Sequence, residues 1–162
     1  MHLEVLKLEQ KKVFEKLRYF SEFYLAGGTA LALQIGHRVS EDFDLFINQD
    51  LSENLMRKIR RLFKGSEIKI FLRHSEQINV SINEVKMNFV KYKYPLIFGL
   101  TEFKGVKIAS VSEIALMKAF TLGGRANYVD LYFILKNKLI SLNNIISGCQ
   151  KNIKKNLMTV FF

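Results

Sequence analysis

Two aspartates one residue apart, Asp42 and Asp44 in "EDFDLF", are the residues of this chain best suited to holding a metal ion. If 42–47 is a strand, its side chains alternate, so both carboxylates share one face while Phe43 and Leu45 take the other. Carboxylates so placed repel each other unless a cation sits between them. Their oxygens suit Mg²⁺, a hard ion that binds carboxylate and phosphate oxygen. A lone DxD is more often a solvated strand edge, so its weight depends on what precedes it. Upstream, "LAGGTALALQIG" reads as an apolar strand, a Gly27-Gly28 turn and a helix. A strand, a glycine turn and a helix start present free N–H groups and the positive end of a helix dipole, which suits phosphate. Thr29 offers a hydroxyl at the cap that can also reach a phosphate oxygen. Arg38, between the two halves, can grip phosphate with two parallel hydrogen bonds, and His37 reads as structural or surface. The pairing supplies both halves of a nucleoside-triphosphate site.

Two lone charges stand out further on. Lys118 is the only charge in "IALMKAFTLGG", and Asp130 the only one in "ANYVDLYFIL". A single charge on an apolar stripe snorkels to water or finds a partner. Lys118 and Asp130 either pair with each other across the Gly123-Gly124 turn, or Lys118 reaches the triphosphate with Arg125 nearby. Both readings stay open on physical grounds.

The elements that must position these groups follow from periodicity. Residues 4–20 carry a helical apolar stripe through Val5, Leu6, Val13, Phe14 and Leu17. Phe23 to Ala26 reads as a buried strand and Ala30 to Ile35 as a helix ended by Gly36 at C′. Asp42 to Ile47 is a second strand, and Leu51 to Phe63 a basic amphipathic helix. Alternation then marks strands around Ile68–Leu72, Ile78–Ile82 and Val85–Phe89, the last two joined by a turn at Asn83-Glu84. Val106 to Ala109 adds a short strand, and "SVSE" is a capping-box pattern with Ser110 as N-cap. Helices follow through about Leu122, from Ala126 to Leu135 and from Leu142 to about Leu157. A mixed sheet followed by helices makes an α+β (α/β) domain.

The chain has 162 residues, a formal charge of +10 and 49% hydrophobic residues. That length fits one domain with a sizeable core. Its basic surface favours polyanions, although a Lys-rich composition alone is equally a genomic bias. One cysteine, Cys149, excludes an internal disulfide and fits a reducing, cytoplasmic setting. The longest uncharged run, Phe23 to Gly36, has 14 residues, short of the ~20 that span a membrane.

These motifs, with "VKMNFVKYKYPLI" and "IASVSEIALMKAFTLGGRANYVDLYFIL", resemble the AbiEii/AbiGii-type toxin nucleotidyltransferases of the polymerase-β-like superfamily. The resemblance spans roughly residues 23–135. It implies one nucleotidyltransferase-like domain over 1–162, with a core at about 23–109 and a helical segment at about 110–162. By it, Gly28 and Thr29 hold the triphosphate and Asp42 and Asp44 bind Mg²⁺, while Gly27 and Arg38 join them on the residue reading above. Lys118 and Asp130 match the lysine and aspartate of the downstream helices. The implied reaction moves a nucleoside monophosphate from an NTP to RNA, such as a tRNA 3′ end, or to a protein hydroxyl. A cognate antitoxin and a role in phage defence are implied as well. Many members of the superfamily have a third carboxylate on a later strand, where this chain places Asn88. An amide there also fits a site that binds NTP or RNA without transfer. A purely structural basic RNA-binding domain is a further alternative, against which the paired carboxylates argue.

Overall fold

The computed structural model describes residues 1–121 and 128–160, the last seven by backbone alone. Gly123-Gly124, Arg125 and the helix boundaries expected at Leu122 and Ala126 lie outside them. The chain divides into two compact units, Met1–Lys93 with Glu102–Ile108, and Tyr94–Thr101 with Ala109–Phe162.

In the first unit a 3₁₀ turn at Leu3–Val5 precedes α1 (Leu8–Leu17). The single helix expected over 4–20 is therefore broken at Leu6-Lys7. Lys7 is extended (ψ 162°) and caps α1, its N–H donating to Gln10 Oε1 at 2.9 Å. Next come β1 (Tyr24–Ala26), α2 (Gly27–Ile35), β2 (Phe43–Ile47), α3 (Leu55–Leu62), β3 (Ile68–Arg73), β4 (Gln77–Ile82) and β5 (Val85–Lys91). β6 (Leu100–Phe103), a strand that periodicity does not reveal, and β7 (Val106–Ala109) complete a seven-stranded mixed sheet. Its order is β3-β4-β5-β2-β1-β7-β6. β3, β4 and β5 form an antiparallel meander, β5 pairs parallel with β2, and β2 pairs antiparallel with β1. The β4–β5 turn is tight because Asn83 and Glu84 both adopt positive φ, 45° and 68°.

The two sheet faces differ in chemistry. Phe43, Leu45, Met87 and Phe89 point into the core and are at most 1% exposed. Phe14 of α1 lies 6.3 Å from Phe43, and Phe20 and Phe23 lie 5.3 and 5.2 Å from Phe89. Aromatic burial of this kind dominates the stability of such a core. The opposite face carries Asp44, Asn88 and Asn79 in one row, matched by register across β2, β5 and β4, all half-buried. At the sheet edge β3 leaves Ile70, Phe71 and Leu72 exposed between Lys69 and Arg73.

The second unit packs α4 (Val111–Phe120) with α5 (Val129–Lys136) and α6 (Leu142–Val160). Ile114, Ala115 and Leu116 of α4 are fully buried. Gly148 lets α6 come close, since a Cβ there would stand 3.1 Å from Leu116 and 3.2 Å from Phe98. Ser110 caps α4 as expected, accepting from Glu113 N–H at 3.1 Å. The reciprocal half of the box is not made. The buried Glu113 carboxylate instead accepts from the N–H groups of Ile97 (2.8 Å) and Phe98 (2.6 Å), pinning that loop to the helix.

Candidate functional site

The glycine turn is tighter than its sequence suggests, because α2 begins at Gly27 itself. Gly27 takes φ +72°, which lets β1 pass directly into the helix, and the N-cap residue Ala26 makes no side-chain cap bond. Ala26 thus gives the first-turn N–H groups no side-chain partner of its own. Glycine is also required by space. A Cβ at Gly27 would collide with the Asp44 carboxylate, and one at Gly28 with the Arg38 guanidinium, with Ser40 Oγ at 3.1 Å. The turn therefore brings Asp44 and Arg38 against the start of α2.

Thr29 is placed differently from the expectation. With the helix starting early, Thr29 lies within its first turn, fully buried. Its hydroxyl donates to the Asp42 carbonyl at 2.5 Å. It ties the helix start to the strand rather than presenting a free cap hydroxyl.

Asp42 precedes β2 by one residue, yet the alternation continues through it. Asp42 and Asp44 are half-buried, whereas Phe43 and Leu45 are buried. Asp42 Oδ1 is buried with no hydrogen-bond partner. A buried acceptor left so is costly, commonly by ~1–3 kcal/mol and more when charged. Asp44 Oδ1 accepts from Asn88 Nδ2 at 2.8 Å, across the parallel β2–β5 register that sets the two residues side by side. Asn88 therefore faces the aspartates as strand parity predicts. Among the described residues, no three His, Cys, Asp or Glu side chains gather into a metal cluster. An orphaned carboxylate oxygen beside a second carboxylate fits a divalent cation completed by phosphate and water oxygens.

The loop between α2 and β2 is held by a residue that motif reading passes over. Gln10 is 3% exposed, and its amide donates to the carbonyls of Ser40 (2.7 Å) and Glu41 (3.1 Å). The signal was present in the sequence, since Gln10 interrupts the apolar stripe of Leu6, Val13, Phe14 and Leu17. On the same loop, Lys7 donates to the exposed Glu41 carboxylate and holds its pKa below the ordinary value. His37 is half-buried on this loop.

In the second unit, Lys118 Nζ lies 2.6 Å from Asp130 Oδ2, with Asp130 fully buried. The ion pair joins α4 to α5. Gly27, Gly28, Arg38, Asp42 and Asp44 come together in the first unit, while Lys118 and Asp130 come together in the second.

A family model described as "Nucleotidyl transferase AbiEii toxin, Type IV TA system" matches residues 12–147. The chain belongs to the AbiEii nucleotidyltransferase toxin family. The uncharacterized protein aq_aa25 of Aquifex aeolicus (strain VF5) is 30% identical over 165 aligned residues, covering 97% of this chain and 78% of that protein. Among solved structures, JHP933 from Helicobacter pylori superposes with a TM-score of 0.59 at 19% identity, covering 82% of this chain and 68% of that one. ANT(2″)-Ia in complex with adenylyl-2″-tobramycin gives 0.61 at 11% identity, covering 91% and 99%. The α+β sheet is thus a nucleotidyltransferase fold, and family membership makes the chain a nucleotidyltransferase.

Proposed function

We propose that this enzyme transfers a nucleoside monophosphate from an NTP to a hydroxyl at the 3′ end of an RNA, such as tRNA, with Mg²⁺ bound by Asp42 and Asp44. The observation that carries the metal assignment is the buried, unpartnered Asp42 Oδ1 beside an Asp44 carboxylate already oriented by Asn88. The RNA acceptor draws on the +10 charge and the resemblance. A bound metal would offset the charge that develops on the phosphates. The chain's own groups do the remaining work. The first-turn N–H groups of α2 and the Arg38 guanidinium hold the phosphates, and Gly27 and Gly28 let them approach the backbone closely. Such pre-set dipoles stabilise charge without rearranging during the reaction. The acceptor oxygen bonds to the α-phosphorus, the bond to pyrophosphate breaks, and the hydroxyl proton passes to water. Lys118 is expected to serve the triphosphate, and Asp130 to hold it in place. A cognate antitoxin and a part in phage defence, inside the cytoplasm, complete the reading.

The test is transfer of label from each α-³²P NTP to total tRNA and to total protein. The Asp42→Ala/Asp44→Ala variant runs alongside. Label on RNA that disappears in the variant is the expected result. Label on protein alone would replace the acceptor. Asn88, in the ladder position beside Asp44, favours a second reading in which NTP binds and nothing is transferred. Bound NTP with no label on either acceptor would select it.

A further inference from the structure

At the end of β2 away from the aspartates, the first unit contains a cavity of about 420 Å³ between β2 and α3. Ile47, Phe23 and Leu55 give it apolar walls, and Arg57, Lys58 and Arg61 give it a basic rim. Its acidic residues are already engaged. Glu22 accepts from Lys58 at 2.8 and 3.0 Å, and Asp50 accepts from Lys91 at 2.7 Å. Arg57 and Arg61, one helical turn apart and both exposed, have no ion-pair partner among the described residues. Residues four apart on a helix face the same way, so the two guanidiniums border the cavity together. Planar guanidiniums bind phosphate oxygens in pairs, and an apolar wall accepts a sugar or base edge.

The cavity lies past the end of β2, and its Ile47 wall belongs to the core face of the sheet, opposite the face that carries Asp44. Asp44 and Ile47 are three residues apart, roughly 10 Å along the strand at ~3.3 Å per residue, and a ligand reaching both must also pass around the strand end. The path is therefore longer than about three nucleotides at the ~3.4 Å rise of a stacked strand. We infer that this cavity is a subsite for the sugar–phosphate backbone of the acceptor RNA, with Arg57 and Arg61 taking phosphates upstream of the 3′ end, where the strand passes around the end of β2. The inference rests on the RNA-acceptor reading above.

It is tested by measuring tRNA binding to the full chain across a series of salt concentrations, without Mg²⁺ or NTP. The Arg57→Gln/Arg61→Gln variant is compared with Lys11→Gln/Lys104→Gln, which removes the same charge from α1 and the β6–β7 turn. Each lost phosphate contact lowers the log–log salt slope by ~0.7–0.9. The arginine variant should therefore lose about 1.5 from the slope and bind at least tenfold more weakly at ~0.1 M salt, while the lysine variant stays near wild type. Circular dichroism checks that both fold. Equal losses in the two variants, or none in either, would overturn the subsite while leaving RNA as the acceptor. No tRNA binding by the wild-type chain would overturn the acceptor reading and the subsite with it. A free mononucleotide that competes through the arginines while RNA does not would reassign the cavity to a small ligand.

Discussion

The Asn88–Asp44 hydrogen bond is where this chain departs most from a site with three carboxylates. A bond to a charged acceptor contributes about 1.5 kcal/mol or more, close to a factor of ten in affinity. Asn88→Ala should therefore lower the melting temperature by a few degrees in a thermal melt and weaken Mg²⁺-dependent NTP binding in calorimetry, because Asp44 loses the bond that orients it. Asn88→Asp should lower the melting temperature without metal and raise its response to added Mg²⁺, because a third anion then needs neutralising. Gly27→Ala meets both a positive φ and the Asp44 carboxylate, so it should abolish metal-dependent NTP binding and cost about 1–3 kcal/mol of stability in a urea melt. The shared face of Asp42, Asp44 and Asn88 was legible in the sequence because strand alternation is local. The buried bond of Thr29 was not, since it depends on the helix starting at Gly27 rather than Ala30.

At the level of elements, helix ends and helix pairs carry the argument. Ser110→Ala removes a cap bond and should cost about 1 kcal/mol in a chemical melt. Asp130→Ala leaves Lys118 beside an emptied apolar position, and losing one partner of a buried pair costs about 3 kcal/mol or more. If Lys118 also serves the triphosphate, Lys118→Met should restore much of that stability in the Asp130→Ala background without restoring transfer. Full activity of that double variant would limit the pair to holding α4 against α5. The sequence left pairing and triphosphate contact equally open, and the structure makes the pair. Ser110 was readable from "SVSE", but the turn of Glu113 toward Ile97 and Phe98 was not, because its partners lie fifteen or more residues away. β6 escaped for a related reason, since "LTEF" has no apolar alternation and owes its strand state to its neighbour in the sheet.

For the whole molecule, composition excluded more than it identified. Among the described residues no helix is long and apolar enough to cross a membrane. The single thiol, Cys149, is partly buried, and burial raises its pKa. Less thiolate is then present near pH 8, so iodoacetamide should label the native chain several-fold more slowly than the chain in urea. The sheet order also bears on how the chain reaches its fold. β3, β4 and β5 meet over loops of three and two residues, whereas Asp44 and Asn88 meet across 44. Closing the longer loop costs more entropy and comes later. Pulse-labelled hydrogen exchange should show the meander protected before β1 and β2. A nascent chain that has not yet exposed β5 carries both aspartates without the Asn88 bond to Asp44, so the candidate site is completed only once most of its own sheet has been synthesised.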